Sequence, residues 1–127
     1  MARYPAAMIS FDFDDTLIKW GSRHFEDLQG DGPAARLFDR AIAAGVPVAI
    51  VTARWPELEA QMARIGAGVH QWLAARGVPE GRVQVVLTSN QPKGPFLAEL
   101  GARVHYDDNR AQCASAEAYG VHAILVV

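Results

Sequence analysis

The sequence is poor in cysteine, and it contains no long apolar run. Its single cysteine, Cys113, excludes an internal disulfide framework and a zinc site built from cysteines, and it suits a reducing, intracellular setting. No segment approaches the roughly 18 apolar residues that a membrane span requires. An acidic cluster directly follows the short apolar run near the start, which is unlike a signal peptide. We therefore expect a cytoplasmic protein with no membrane partner.

An excess of basic residues is also absent. The 12 Lys and Arg residues are outnumbered by 14 Asp and Glu residues, and the formal net charge is -2. A protein that binds nucleic acid over a broad surface usually carries a basic surplus, so such a contact would need a local patch here. Lysine is especially scarce, since only Lys19 and Lys93 are present.

Repeats, low-complexity tracts and linkers are missing as well. The 127 residues fall within the range of about 100–150 that is typical of one domain, so we predict a single domain over residues 1–127. Hydrophobic residues make up 50% of the chain and charged residues 20%, which excludes a disordered chain.

Five short apolar runs are predicted to be β-strands. Several are apolar at almost every position, which is typical of parallel strands that are covered on both faces. The predicted strands span residues 6–13, 47–52, 83–88, 102–106 and 122–127.

Helical periodicity fills most of the chain between these strands. Proline near the starts and glycine past the ends predict helices over residues 32–44, 56–76, 93–100 and 110–119, with a break favoured near Gly66 and Gly68. Residues 18–31 are the one long stretch without a pattern, and we expect a loop there. Alternating strands and helices predict an α/β fold, a Rossmann-like three-layer sandwich around a five-stranded parallel sheet.

Polar side chains lie at the carboxyl ends of several predicted strands and at the start of one predicted helix. Ligands of open parallel sheets bind at the carboxyl ends of the strands, so residues at those ends are the candidate site. The candidates are Asp12, Asp14, Thr52, Lys93, Asp107 and Asp108.

This set of side chains favours phosphate chemistry. Crowded carboxylates repel one another, and a hard divalent cation such as Mg²⁺ relieves that repulsion, usually together with a substrate phosphate. Lys93 and Thr52 can hold phosphate oxygens. An aspartate can attack phosphorus to form an aspartyl-phosphate, and a second carboxylic acid can serve as general acid and base.

Four sequence motifs in this order resemble those of the haloacid dehalogenase superfamily of phosphohydrolases. They are ISFDFDDTL, VAIVTAR, the lysine of QPKGPFL and the acidic pair of VHYDDN. The resemblance covers nearly the whole chain. It implies a strand order of 3-2-1-4-5, and the short segments between the motifs imply a small member with no cap domain.

The resemblance also implies a role for each motif residue. Asp12 is the expected nucleophile and Asp14 the expected general acid/base, and both are expected at the Mg²⁺, Asp14 through its backbone carbonyl. Asp107 and Asp108 are the other expected metal ligands. Thr52 and Lys93 are expected to bind the phosphate.

Asp14 also indicates which reaction of the superfamily to expect. Its dehalogenases lack the second aspartate of the first motif, so the presence of Asp14 favours phosphate monoesters as substrates. TAR and YDDNR resemble the phosphatase domain of polynucleotide kinase–phosphatases, which implies a nucleotide or polynucleotide phosphate end. A small phosphorylated metabolite is the alternative substrate.

The residues around the motifs keep several interpretations open. Arg54 can bind a substrate phosphate or carboxylate, or it can pair with Glu57 or Glu59 in the next helix. Trp20 and Phe25 can stack on a base, or they can pack the loop in place. The remaining side chains of interest are more typical of packed or surface positions: His70, His105 and His122.

Two functions from other classes compete with hydrolysis. A phospho-acceptor domain of the receiver type uses a similar acidic cluster, a Thr or Ser and a Lys, but it places the acidic pair first in the chain, whereas here the pair comes last. An interaction module that has lost turnover is the other alternative. The substrate, the oligomeric state and a partner that covers the site stay open.

Overall fold

A five-stranded sheet forms the centre of the computed structural model, which describes residues 7–127. All its neighbouring strands pair in parallel. Residue 6, the first of the first predicted strand, lies outside the described residues. The strands of this sheet are β1 Met8–Phe11, β4 Val48–Thr52, β5 Val83–Leu87, β6 Ala102–Asp107 and β7 His122–Leu125.

Helices connect these strands in the predicted α/β pattern. They are α1 Ala35–Ala43, α2 Pro56–Arg64, α3 Val69–Ala75, α4 Gly94–Leu100 and α5 Arg110–Ala118. The predicted helix over residues 56–76 is broken, as Gly66 and Gly68 suggested, because Gly66 adopts a left-handed φ of 80° that ends α2. None of the helices within residues 7–127 has the length and apolar character needed to cross a membrane.

The order of strands across the sheet is β5-β4-β1-β6-β7. The strand numbers differ from the predicted order 3-2-1-4-5 because two strands that lie outside this sheet follow β1 in the chain and are numbered as well. When only the strands of the large sheet are numbered along the chain, each strand has the neighbours that were predicted. The parallel α/β class is therefore confirmed.

The prediction of a loop over residues 18–31 is wrong. This segment forms a two-stranded antiparallel hairpin of β2 Ile18–Trp20 and β3 Leu28–Asp31. Its turn is closed by backbone hydrogen bonds, among them Gly21 N–H to the carbonyl of Asp27 at 2.7 Å. A strand of three residues with one exposed position carries almost no periodic signal, which is why the pattern was not visible.

Both faces of the sheet are covered, and β4 shows this most clearly. Val48 and Ile50 belong to one apolar cluster, with Phe38 of α1 and Leu58 of α2. Ala49 and Val51 belong to a second cluster on the other face, which includes residues of α4 and α5. Alternate side chains of a strand point to opposite faces, so five consecutive buried residues require two layers of helices.

Candidate active site

A cleft of about 300 Å³ opens at the carboxyl ends of the central strands. Parallel strands bring their carboxyl ends to one edge of the sheet, so residues that follow different strands meet there. The cleft is lined by every site residue that the sequence predicted: Asp12, Asp14, Thr52, Arg54, Lys93, Asp107 and Asp108.

Lys93 lies at the centre of the charged groups. Its Nζ donates to Oδ1 of Asp12 and to Oδ2 of Asp107, each at 2.7 Å, and the residue is only 1% exposed. Burial by itself lowers the pKa of this amine, but the charges of the two carboxylates outweigh it, so the net pKa of Lys93 is raised. Lys93 is therefore a permanent positive charge between two carboxylates.

The start of α4 is what brings Lys93 into the site. The Lys93 N–H donates to Oε1 of Gln112, and the Gly94 N–H donates to Oγ of Ser115, each at 2.9 Å. Gly94 allows this contact between helices because a Cβ there would lie 2.6 Å from Cδ2 of Tyr119 and would overlap the Ser115 carbonyl. The glycine after Lys93 thus permits the close approach of α4 to α5.

A buried histidine supports Asp107 from behind. His105 Nε2 lies 2.8 Å from Oδ2 of Asp107, and His105 Nδ1 lies 2.8 Å from Oγ of Ser10. Burial lowers the pKa of His105, and the charge of Lys93 adds to this effect, so the ring is neutral. Since Asp107 can only accept, the partners assign the proton to Nε2 and leave Nδ1 as the acceptor for Ser10.

Asp107 itself stays ionised in this environment. Burial alone would raise its pKa, but the hydrogen bond from His105 and the positive charge of Lys93 lower it overall. Its other oxygen, Oδ1, accepts the Asn109 N–H at 3.0 Å. The sequence interpretation of His105 as a packed or surface residue missed this contact, although His105 and Asp107 share one face of β6 and Ser10 is the register partner of His105.

Three carboxylates form a group that can hold a metal ion. Oxygens of Asp12, Asp107 and Asp108 lie within 4.8 Å of one another. Partial burial and the neighbouring carboxylates of Asp12 and Asp107 raise the pKa of Asp108 to about 8. An all-oxygen, acidic donor set of this kind fits a hard divalent cation such as Mg²⁺. The side chain of Asp14 is outside this group. The metal contact expected of Asp14 is through its backbone carbonyl, and that contact stays a prediction.

The side chain of Asp14 is instead bound by Arg54. Arg54 Nε donates to Oδ2 at 2.9 Å and Nη2 donates to Oδ1 at 2.6 Å, which is a bidentate ion pair. Trp20 Nε1, from the hairpin, donates to Oδ1 at 2.8 Å. Trp20 is 3% exposed, so of the two interpretations for this residue the structure favours packing over stacking on a base.

The rest of the Arg54 guanidinium also has partners within the chain. Nη1 donates to Oε1 of Glu59 at 2.7 Å and to the carbonyl of Ala67 at 2.8 Å. Glu59 in turn accepts the N–H of Val69, the first residue of α3, at 3.0 Å. Burial opposes the charge of Arg54, but the contacts with Asp14 and Glu59 outweigh it and raise the pKa of the guanidinium. Arg54 pairs with Glu59, as one of the open interpretations proposed.

Two threonines lie beside these charged groups, and one of them, Thr52, lines the cleft. Thr16, the last polar residue of the first motif, donates from Oγ1 to Oδ2 of Asp12 at 3.1 Å. Thr52 is 1% exposed, and its Oγ1 accepts the Arg54 N–H at 3.3 Å. Because that contact uses a lone pair, the hydroxyl proton of Thr52 is left to be donated elsewhere.

Comparison with models of known protein families finds no match, and neither does comparison with the curated proteins. Among solved structures, the chain is similar to one chain of the Pnkp1/Rnl/Hen1 RNA repair complex, with a TM-score of 0.64 and 16% sequence identity. The match covers 96% of this chain and 42% of that one, so this chain spans less than half the length of its neighbour. At this identity the similarity shows the fold alone.

Proposed function

We propose that the protein is a Mg²⁺-dependent phosphomonoester hydrolase that works through an aspartyl-phosphate on Asp12. The observation that carries the proposal is the position of Asp12, which shares Lys93 with Asp107 and lies within the acidic group. The resemblance of the four motifs to haloacid dehalogenase phosphohydrolases supports the same reaction.

In the first step an oxygen of Asp12 attacks phosphorus. A bond forms between that oxygen and phosphorus, and the bond between phosphorus and the leaving oxygen breaks with its electron pair. In the form that reacts, Asp14 carries a proton on the Oδ2 lone pair that Arg54 Nε leaves free, and it gives this proton to the leaving oxygen, which departs as an alcohol. The products of this step are the acyl phosphate on Asp12 and the carboxylate of Asp14.

In the second step water completes the hydrolysis. The Asp14 carboxylate takes a proton from a water molecule as the water oxygen bonds to phosphorus, and the bond from phosphorus to Asp12 breaks. Inorganic phosphate leaves, and both aspartates return to their starting forms. Asp14 can serve here because Oδ1 accepts two hydrogen bonds and Oδ2 only one, which leaves a lone pair on Oδ2.

Two donors are suited to hold the phosphoryl oxygens in both steps. Two of the three Lys93 ammonium protons point to carboxylates, and the third is left for a phosphoryl oxygen. Thr52 can donate its hydroxyl proton to another oxygen. Asp12, Asp107 and Asp108 would hold Mg²⁺, which when bound neutralises the negative charge of the phosphoryl group and orients it.

A nucleotide or polynucleotide phosphate end is the substrate class we propose, with a small phosphorylated metabolite as the alternative. The structural neighbour belongs to an RNA repair complex, and this is consistent with such a substrate. The resemblance of TAR and YDDNR to polynucleotide kinase–phosphatases supports the same class.

Phosphate release tests the proposal directly. The panel holds 4-nitrophenyl phosphate, sugar phosphates, 3′- and 5′-mononucleotides and oligonucleotides with 3′- or 5′-phosphate ends, each measured with Mg²⁺ and with a chelator. We expect Mg²⁺-dependent release that Asp12→Asn abolishes while the far-UV circular dichroism stays unchanged. Release that survives Asp12→Asn would refute the nucleophile.

Two further outcomes separate hydrolysis from its alternatives. Asp14→Asn should lose most activity and accumulate phosphoprotein, because the second step lacks its base. A phosphoprotein that is equally long-lived in the wild-type chain would support the phospho-acceptor interpretation, and no turnover without any metal binding would support the interaction module.

A further inference from the structure

Aromatic side chains line the cleft together with the carboxylates. His24 and Phe25 of the hairpin and Trp55 at the start of α2 line the same cleft as Asp12 and Lys93. The Trp55 residue is 44% exposed and the His24 side chain 50% exposed. Three aromatic rings grouped in one cleft, two of them this open to water, form a surface that a planar ligand can cover.

The hairpin wall is held in a fixed and strained conformation. Phe25 has a φ of 67°, in a region that bulky residues rarely occupy. The rings of His24 and Phe25 lie 4.1 Å apart between centroids, and that of Trp20 lies 5.4 Å from Phe25. Asp15 reinforces the wall by accepting the Trp20 N–H at 2.9 Å. The aromatic surface is therefore already formed before a ligand arrives.

The backbone of Trp55 is equally well fixed. It directly follows Arg54, whose side chain is buried under the cleft, and its carbonyl accepts the Glu59 N–H at 3.0 Å in the first turn of α2. Trp55 was not among the predicted site residues, although its position directly after the TAR motif was a signal that it borders the site.

We infer that His24, Phe25 and Trp55 form a subsite that binds the planar ring of the leaving group, namely the base of a nucleotide. The inference rests on the proposed function, because it places the phosphate at Asp12. Stacking on aromatic side chains recognises any base, since every base has a π-face. A base is favoured over a simple aryl ring because Asn90, an exposed amide that lines the same cleft, can hydrogen-bond to the edge of a base.

A matched pair of substrates isolates the contribution of the base. AMP and ribose 5-phosphate share the same ribose ester and differ in the adenine. We expect kcat/KM for 5′-AMP to exceed that for ribose 5-phosphate by about tenfold or more, the size that one stacked base typically gives. Trp55→Ala should bring the ratio close to one, and Trp55→Phe should retain part of it. Ile65→Ala is the control, because Ile65 is an exposed apolar residue at the opposite end of α2, and its ratio should match the wild type.

Two results would overturn the subsite: a ratio near one in the wild-type protein, or an unchanged ratio in Trp55→Ala. Benzyl phosphate, an alkyl ester with an aryl ring but without the edge of a base, is the third substrate, and a gain over ribose 5-phosphate equal to that of AMP would contradict the assignment to a base. Binding of 3′-AMP and 5′-AMP to the Asp12→Asn variant is measured separately. The quenching of tryptophan fluorescence reports this binding. Quenching that Trp55→Phe abolishes supports the subsite even if no substrate is turned over, whereas absent turnover alone contradicts only the proposed function.

Discussion

The guanidinium of Arg54 binds both carboxylate oxygens of Asp14, a residue 40 positions earlier in the chain. Arg54 is 1% exposed, and its other nitrogen contacts Glu59 and the carbonyl of Ala67. A substrate phosphate would have to compete with these partners. The geometry therefore favours Arg54 as a residue that positions Asp14, the proposed general acid/base, over one that binds substrate, and this choice can be measured.

Replacement of Arg54 by lysine tests whether it positions Asp14. Lysine keeps the charge but cannot bind two oxygens of Asp14 and Glu59 at once. General acid catalysis contributes about 100-fold or more, so we expect kcat for ribose 5-phosphate to fall at least about tenfold with little change in KM. The loss should be smaller for 4-nitrophenyl phosphate, whose leaving group needs no proton. An equal loss for both substrates with a large rise in KM would indicate phosphate binding instead.

Replacement of His105 tests whether it supports Asp107, a proposed metal ligand. His105→Phe removes the hydrogen bonds to Asp107 and Ser10 but keeps a ring in the buried space. Partners of metal ligands typically contribute about 10–100-fold in metal affinity, so the Mg²⁺ concentration for half-maximal activity should rise by that factor. Titration calorimetry of Mg²⁺ gives the same quantity without substrate. Ser10→Ala, which leaves the bond between His105 and Asp107, should have a smaller effect, and equal effects of the two variants would argue against this role.

Substitution of Gly94 tests the close contact of α4 with α5. A Cβ at this position overlaps the Ser115 backbone and lies 2.6 Å from Tyr119 Cδ2, so the two helices must move apart. Overpacking of this kind typically costs about 1–3 kcal/mol, and we expect Gly94→Ala to lower the free energy of urea unfolding by that amount. Glu99→Ala, at an exposed position of the same helix, is the control and should change little. A neutral Gly94→Ala would show that the contact is not tight.

Addition of Mg²⁺ tests the acidic group without any substrate. A ligand that binds only the folded state raises its stability by about 2.7 kcal/mol at a concentration of 100 times Kd. The Tm of the wild-type protein should therefore rise with Mg²⁺ concentration, whereas that of Asp108→Asn should rise much less. Glu80→Gln, an exposed carboxylate on the loop before β5, controls for general salt effects. Equal shifts in all three proteins would contradict a metal site at Asp108.

Much of the fold could be predicted from local patterns. Almost continuous apolar runs, with helical periodicity between them, are enough to indicate a parallel α/β sheet, because burial on both faces leaves a direct trace in residue type. The hairpin at residues 18–31 left no such trace. Its strands are short, and β3 is exposed at every position, so turn geometry and pairing determine it and hydrophobic pattern does not.

The sequence by itself determined that the motif residues reach the cleft, because carboxyl ends of parallel strands meet at one edge and most of these residues directly follow a strand. Only the tertiary structure decided what those side chains contact. Asp14 pairs with Arg54, and Ser10 pairs with His105, because such bonds depend on differences of a few tenths of an ångström between segments that are far apart in the chain. Spacing along the sequence carries no information at that scale.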